Sequence, residues 1–206
     1  NENESGIFKL LDTLKTVPKF RTYYDIVSIL GSGYVEIDKW NIDIGDIYST
    51  FGYNDAEGVR LRGGARTYFG QNDLWRLEGY MAYGFNDKKF KHGFSGKFLL
   101  DRKNRLIISG GNRRDIEQLG LSLTSTNDVM GRSIASSSLV TVGSNDRLTN
   151  INLSTLNVEM EPVKNFRIDV GGSFRTLSSA LPDAFSLDYV DPNSPSGISS
   201  EIKQFD

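Results

Sequence analysis

Apolar and polar residues alternate along residues 59–100, in three consecutive stretches separated by short polar segments. In the first stretch, Val59 and Leu61 belong to one face, while Arg60 and Arg62 belong to the other. A period of two residues is typical of β-strands that have one apolar and one polar face. The pattern therefore predicts three amphipathic strands.

The segments between these stretches are rich in turn-forming residues and short enough for tight connections. They are Gly70–Asp73, Asn86–Lys89 and Asp101–Asn104. Turns of this length join strands that are neighbours in an antiparallel sheet. The strand at 59–69 should then pair with the strand at 74–85, and a three-residue loop between them would set Arg66 directly opposite Glu78. Opposite charges that face each other across two strands contribute roughly 0.2–1 kcal/mol.

The apolar face of the predicted meander is large and rich in aromatic side chains. It contains Val59, Leu61, Trp75, Leu77, Met81, Phe94 and Phe98. Each strand has about ten residues, the length with which a tilted strand crosses a bilayer. Trp75 and Phe85 stand near strand ends, as do the aromatic girdles of membrane barrels. We therefore predict an all-β fold, an antiparallel meander that is part of a transmembrane β-barrel.

The remainder of the chain predicts two regions. Residues 1–33 carry apolar residues at helical spacing and are interpreted as a short, partly helical periplasmic lead-in. Residues 34–206 are interpreted as antiparallel strands of a larger barrel, of which this chain is a fragment because both of its ends look like cuts through a longer polypeptide. Further strands are predicted at 34–44 (with a bulge), 106–111, 136–142, 150–160, 166–176 and 185–190, and long loops at 45–58 and 112–134.

Composition narrows the possible functions. The formal net charge is −2, from 24 Lys and Arg against 26 Asp and Glu, which gives no reason to expect a nucleic-acid partner. The chain has no cysteine and one histidine, His92, so a metal or catalytic centre would depend on a single imidazole. His92 falls on the apolar face, and we interpret it as structural. We predict no catalytic, cofactor-binding or metal-binding residue, no cofactor and no enzymatic activity.

Four carboxylates cluster in the predicted loop at 45–58 and just before it. They are Asp43, Asp46, Asp55 and Glu57. Their spacing does not match a calcium-binding loop. We interpret them as solvated surface residues, with a weak calcium site as the alternative.

The polar face of the predicted strands is dominated by basic residues. These are Arg60, Arg62, Arg66, Arg76, Lys91, Lys97, Arg167 and Arg175. In a barrel this face would line the lumen, where rings of Arg and Lys favour anions. Alternatively, these side chains pair with carboxylates elsewhere in a longer chain and fill a plugged barrel. We favour this second interpretation, because lumen charges are commonly structural.

Two stretches of the sequence, 53–120 and 138–177, resemble a known family. The most characteristic part is Asn-x-x-Glu-Gly at 54–58, followed by Arg-Leu-Arg-Gly-Gly-Ala-Arg at 60–66. The chain looks like the large outer-membrane proteins of Bacteroidetes, whose full chains carry a carboxypeptidase-regulatory-like β-sandwich before a C-terminal barrel. The resemblance covers residues 5–190. It implies a fold and a location, with no known function and no catalytic residues.

The sequence therefore leads us to expect a non-enzymatic β-barrel protein in the outer membrane of a Gram-negative bacterium. Its partners would be the lipid bilayer and, as further candidates, other outer-membrane or periplasmic proteins. Its role would be transport, pore formation or envelope assembly. The alternative is a soluble periplasmic β-sandwich or β-clam that binds a lipid or glycan, in which case the apolar face would pack against a second sheet.

Overall fold

The computed structural model of the protein describes residues 17–67, 74–119, 147–192 and 194–206. Within these residues, one α-helix precedes a ten-stranded sheet, and two short strands form a separate pair. All paired strands are antiparallel. The prediction of an all-β antiparallel meander with a short N-terminal helix is therefore confirmed.

The elements follow one another along the chain with few interruptions. The helix is α1 (Pro18–Ser32), and the strands are β1 (Tyr34–Ile37), β2 (Ile42–Gly45), β3 (Phe51–Asn54), β4 (Gly58–Thr67), β5 (Trp75–Gly84), β6 (Phe90–Asp101), β7 (Leu106–Gln118), β8 (Leu148–Val163), β9 (Phe166–Ser179), β10 (Tyr189–Val190), β11 (Ile198–Ser199) and β12 (Glu201–Phe205). The order in the large sheet is β1-β2-β4-β5-β6-β7-β8-β9-β12, and β3 also pairs with β4. Within the described residues β1 and β12 are the edges, so the sheet is open.

The helix α1 begins at a proline and ends at a glycine. Pro18 occupies the first turn, where its missing N–H removes no helical hydrogen bond. Gly33 ends the helix in the left-handed conformation, with φ of 75°. The Tyr48 hydroxyl donates a hydrogen bond to the Leu30 carbonyl and ties the helix to the chain segment that follows β2. No helix of the described residues is long and apolar enough to cross a bilayer.

The central meander has the predicted topology. Strands β4, β5, β6 and β7 pair in chain order. Arg66 lies directly opposite Glu78, so the predicted register is confirmed. The turn predicted at Gly70–Asp73 lies outside the described residues.

The prediction of a single bulged strand at 34–44 is wrong. These residues form a hairpin of β1 and β2, in which Ile37 faces Ile42. A turn of 3₁₀ helix at Asp38–Trp40 and a left-handed Asn41, with φ of 50°, reverse the chain. The change of phase in the hydrophobic pattern therefore marks a turn between two strands and not a bulge within one.

The loop predicted at 45–58 contains a strand. Strand β4 pairs with β2 over Ala65–Thr67 and with β3 over Gly58–Leu61. Between β2 and β3 the chain leaves the sheet for a short turn, and the Thr50 carbonyl then accepts a hydrogen bond from the Arg62 N–H. One edge of β4 therefore pairs with two short strands, β2 and β3, which are separated by a turn that lies outside the sheet.

Strand β7 is longer than predicted and continues to Gln118. The strand does not end at Gly110-Gly111, because every residue from Ile107 to Gln118 has a partner on β8. The prediction of a loop is thus wrong for 112–118; the rest of that loop and the strand predicted at 136–142 lie outside the described residues, apart from Leu119. Of the strand predicted at 185–190, only Tyr189 and Val190 pair, with β11.

The register divides the side chains of the sheet into two faces. We call the face that bears Val59 and Leu61 the outer face, and the face that bears Arg60 and Arg62 the inner face. The seven apolar residues predicted to share a face all lie on the outer face. They are 38–61% exposed, so they do not pack into the dry core that a soluble sandwich requires.

Burial is concentrated on the inner face. Arg60 is 1% exposed and Lys91 is 4% exposed, whereas Met81 on the outer face is 61% exposed. Six of the buried apolar residues form two small clusters. These are Ile151, Leu153 and Leu177, and Ala56, Ile116 and Leu148. The sheet therefore buries charged side chains and exposes apolar ones, the reverse of a soluble amphipathic sheet.

Candidate functional site

A group of buried ionic side chains occupies the inner face next to the β3–β4 turn. We call it the inner ionic network; it consists of Glu57, Arg60, Tyr80, Lys91 and Asp115. Arg60 is its centre, because its Nη1 lies 2.6 Å from Asp115 Oδ1 and 3.0 Å from Glu57 Oε2. Its Nη2 lies 3.0 Å from Asp115 Oδ2. Arg60 thus binds Asp115 in a bidentate pair, the strongest geometry for a guanidinium and a carboxylate.

The contact between Arg60 and Asp115 requires a curved sheet. Arg60 lies on β4 and Asp115 on β7, with β5 and β6 between them. In a flat sheet these strands would be about 14 Å apart, from a spacing of about 4.8 Å per strand. The sheet therefore curls toward the inner face, which becomes concave and brings side chains of non-adjacent strands together.

Tyr80 reaches the network by lying across a glycine. Its hydroxyl donates a hydrogen bond of 2.5 Å to Asp115 Oδ2, although β6 separates their two strands. The ring passes over Gly93, where a Cβ atom would stand only 2.3 Å from Tyr80 Cε1. The Arg62 guanidinium stacks over the same ring at 3.8 Å from its centroid, an arrangement that cation–π attraction favours.

The β3–β4 turn positions Glu57 at the bottom of the network. Asn54 Oδ1 accepts hydrogen bonds from the N–H groups of Ala56 and Glu57, at 3.1 and 2.8 Å. Asn54 Nδ2 donates to Glu57 Oε2 at 2.6 Å. Gly58 follows with φ of 62°, a left-handed conformation that glycine adopts readily. The Asn-x-x-Glu-Gly motif thus builds a turn that aims a buried carboxylate at Arg60.

Lys91 completes the network from β6. Its Nζ lies 2.6 Å from Glu57 Oε1 and also binds Asp87. On β7, Arg113 Nη2 lies 2.9 Å from Glu117 Oε2. Buried ions are stable only when each charge has its partners. The arrangement braces the turn against β6 and β7.

The eight basic residues predicted as a cluster all belong to the inner face. They divide into five that are buried or half-buried and three that are exposed. Arg60, Lys91 and Arg62 meet in or beside the network. Arg175 is also buried, at 2% exposure. Arg66 binds Asp43 at 2.9 Å and stacks over Tyr34.

The remaining three basic residues are exposed and lie away from the network. Arg76 and Lys97 face each other across β5 and β6. Arg167 is 61% exposed and lies 2.9 Å from Glu159 Oε2. The structure therefore does not bring all eight side chains into one ring.

Sequence reasoning missed the acidic half of the network. It expected carboxylate partners in a longer chain, whereas Glu57 and Asp115 lie in this one. Asp115 was missed because β7 was predicted to end before it. Glu57 was interpreted as solvated, but it is 0% exposed; the signal that could have placed it was the Asn and Gly that flank it in a tight turn.

The carboxylates considered for calcium do not converge. Asp43 binds Arg66, Glu57 binds Arg60 and Lys91, and Asp46 caps a turn by accepting from the Tyr48 N–H. No group of three or more metal-ligating side chains occurs among the described residues. His92 lies on the outer face, with its Nε2 3.2 Å from Asn112 Oδ1.

Fold and site together describe an all-β protein with a curved, open antiparallel sheet and an ionic concave face. Residues 27–128 match the model for the C-terminal domain of a family of unknown function (DUF5686). This match covers the end of α1 to the end of β7 and beyond, a shorter range than the 5–190 of the resemblance. No curated protein and no solved structure matches the chain.

Proposed function

We propose that the chain forms part of the wall of a non-enzymatic β-barrel in the outer membrane of a Gram-negative bacterium. The observation that carries the proposal is the reversed distribution of side chains, with exposed apolar residues outside and buried ions inside. In water an apolar face of this size is buried against another layer or marks an interaction surface. A bilayer would cover it without any further protein.

The length of the outer apolar face fits a bilayer. Along β5 and the residue that follows it, the face runs from Trp75 to Phe85, which are 39% and 51% exposed. Ten residues of antiparallel strand span about 33 Å, and a tilt of about 40° reduces this to about 25 Å, the height of the apolar band of outer-membrane barrels. Both ends of the span are aromatic, as expected for residues at the two interfaces.

The boundary between apolar and polar residues on the outer face lies at different levels on different strands. On β5 the face is apolar as far as Phe85, whereas on β9 it turns polar at Thr176, after Phe174. Phe174 is level with Gly79 on β5 through the registers of the intervening strands. On β7 and β8 the last non-polar residues before the boundary are Gly110 and Leu156, both level with Leu77 on β5. The apolar part of the outer face is therefore longer on β5 than on β7, β8 and β9.

The inner ionic network favours a barrel that is filled at this point over an open pore. Arg60 and Tyr80 bind Asp115 across the concave face, and Lys91 binds Glu57 in the β3–β4 turn. We therefore prefer two roles to passive diffusion of solutes through an open pore. One is envelope assembly, and the other is transport in which the lumen must first open. The second candidate is a soluble periplasmic β-clam that binds a lipid or glycan. The curvature of the sheet is the one observation that favours it.

The test is the location of the full-length protein in cells. We expect it to fractionate with outer membranes, to resist extraction by alkaline carbonate, and to show heat-modifiable migration on gels. Recovery in the soluble periplasmic fraction, with a single migration position before and after boiling, would overturn the proposal in favour of the soluble alternative.

A further inference from the structure

An apolar groove and a basic pocket adjoin each other on the outer face, and we propose that together they bind one anionic phospholipid. This inference rests on the proposed location in a membrane. It goes further because it assigns a specific lipid site to a surface that would otherwise contact lipids without selectivity.

The groove has a volume of about 760 Å³ and a floor of small residues. Gly79, Gly96 and Gly110 line it on three neighbouring strands. Larger side chains, among them Phe94 and Leu156, rise at its sides. A depression with a glycine floor and apolar walls fits an acyl chain, because the chain gains contacts there that a flat surface would not offer.

The basic pocket, of about 700 Å³, continues the groove toward the 84–90 turn. Arg114, Asn150 and Asn152 line it, and Arg114 stands two residues along β7 from Asn112, which lines the groove. Guanidinium and amide groups are suitable donors for the oxygens of a phosphate. The two cavities therefore lie next to each other along β7.

The charge of the pocket lining favours an anion. It includes Arg114 and Lys89, together with Lys91, Asp115 and Glu201. The last three already have partners, because Lys91 and Asp115 belong to the inner ionic network and Glu201 lies 3.6 Å from Lys203. Arg114 and Lys89 therefore set the sign of the potential that a ligand meets.

The position of the pocket fits a headgroup. Arg114 lies in the part of the outer face that has become polar, and Gly110 lies four residues away, about 13 Å along the strand. A phosphate at Arg114 would then allow its acyl chain to descend into the groove. Zwitterionic lipids would gain less, because their ammonium group offsets the phosphate charge.

The experiment is a titration of the full-length protein in detergent, with bound lipids counted by native mass spectrometry. The probes are phosphatidylglycerol and phosphatidylcholine with the same acyl chains, and glycerol phosphate as a headgroup without chains. We expect one phosphatidylglycerol to bind at least about fivefold more tightly than phosphatidylcholine, from about one added basic contact, with no saturable binding of glycerol phosphate.

Two variants with matched controls locate the site. Arg114→Ala should abolish the preference for phosphatidylglycerol, whereas Arg102→Ala, in an exposed turn at the other end of the sheet, should preserve it. Gly79→Leu should fill the groove and weaken the binding of both lipids. The sheet should accommodate the substitution, since a Cβ at Gly79 meets nothing closer than 3.4 Å. Gly63→Leu places the same side chain on the same face, outside the groove and in open space, and should leave binding unchanged.

Equal affinity for the two lipids, or equal effects of a variant and its control, would overturn the lipid site. Saturable binding of glycerol phosphate would identify a site for free phosphate esters instead. If the protein still fractionates with outer membranes in those cases, the proposed function stands without the inference. A protein that is soluble in the periplasm overturns both.

Discussion

Arg60 on β4 and Asp115 on β7 form a bidentate ion pair across two intervening strands, with Nη1 2.6 Å from Oδ1 and Nη2 3.0 Å from Oδ2. The two side chains are 1% and 5% exposed. They are 55 residues apart in the sequence. The pair therefore connects β4 and β7 across the concave face of the central meander. Its loss should lower the stability of the whole sheet and not only that of one strand.

Removal of the Asp115 carboxylate should be strongly destabilising. Asp115→Asn leaves the buried Arg60 guanidinium with fewer counter-charges, which typically costs about 3–5 kcal/mol in the free energy of unfolding. Urea unfolding of the protein in detergent, followed by tryptophan fluorescence, measures this. Arg167→Ala is the control, because Arg167 is 61% exposed in its ion pair with Glu159, and a solvated pair should contribute less than about 1 kcal/mol. Similar losses in both variants would contradict a special role for the buried pair.

Gly93 should not tolerate even a methyl group. Gly93→Ala would place a Cβ atom 2.3 Å from the Tyr80 ring, so the ring must move and release its hydrogen bond to Asp115. We expect a loss of about 1–3 kcal/mol, as for other overpacked sites. The same substitution in a Tyr80→Ala background should cost much less, which a double-mutant cycle would measure. A cycle without coupling would show that the ring is not what excludes the methyl group.

The β3–β4 turn should depend on Asn54 more than on its neighbour Asp55. Asn54→Ala removes three hydrogen bonds and leaves buried donors unsatisfied, at a cost of about 1–3 kcal/mol. Asp55→Ala changes an exposed residue of the same turn and should stay within about 0.5 kcal/mol of the parent. Denaturant midpoints of the two variants compare them directly, and a reversed order would refute the account of the motif.

The accuracy of the sequence predictions follows the contrast between the two faces. Over β4 and β5 one face is apolar and the other charged, so a period of two residues was visible and both the meander and the pairing of Arg66 with Glu78 could be predicted. In β7 the alternation ends after Gly111, since Asn112 and Arg114 make the outer face as polar as the inner face. A strand with two polar faces has no hydrophobic period. The sequence pattern therefore does not place Asp115 on a strand.

The partner of Arg66 illustrates a second limit. Strand pairing could be predicted, yet the carboxylate that Arg66 is found to bind is Asp43, on its other side, at 2.9 Å. Asp43 is also a direct register partner of Arg66, but only the hairpin of β1 and β2 brings it there. Because that hairpin was interpreted as one bulged strand, the sequence offered Glu78 as the only neighbour with the opposite charge.

Arginine substitutions on the outer face of β5 should separate a membrane protein from a soluble one. Met81 is 61% exposed and lies near the middle of the span from Trp75 to Phe85. In a bilayer, Met81→Arg places a charge close to the midplane, at a cost of about 2–4 kcal/mol, whereas Phe85→Arg at the interface should cost about 0–1 kcal/mol. Unfolding from lipid vesicles, followed by loss of the heat-modifiable form, measures both. In a soluble protein both side chains would already face water, so neither arginine would cost more than about 0.5 kcal/mol, and the depth dependence would be missing. Equal and small effects at Met81 and Phe85 would therefore exclude lipid from this face, while a larger effect at Met81 is the result that a bilayer predicts.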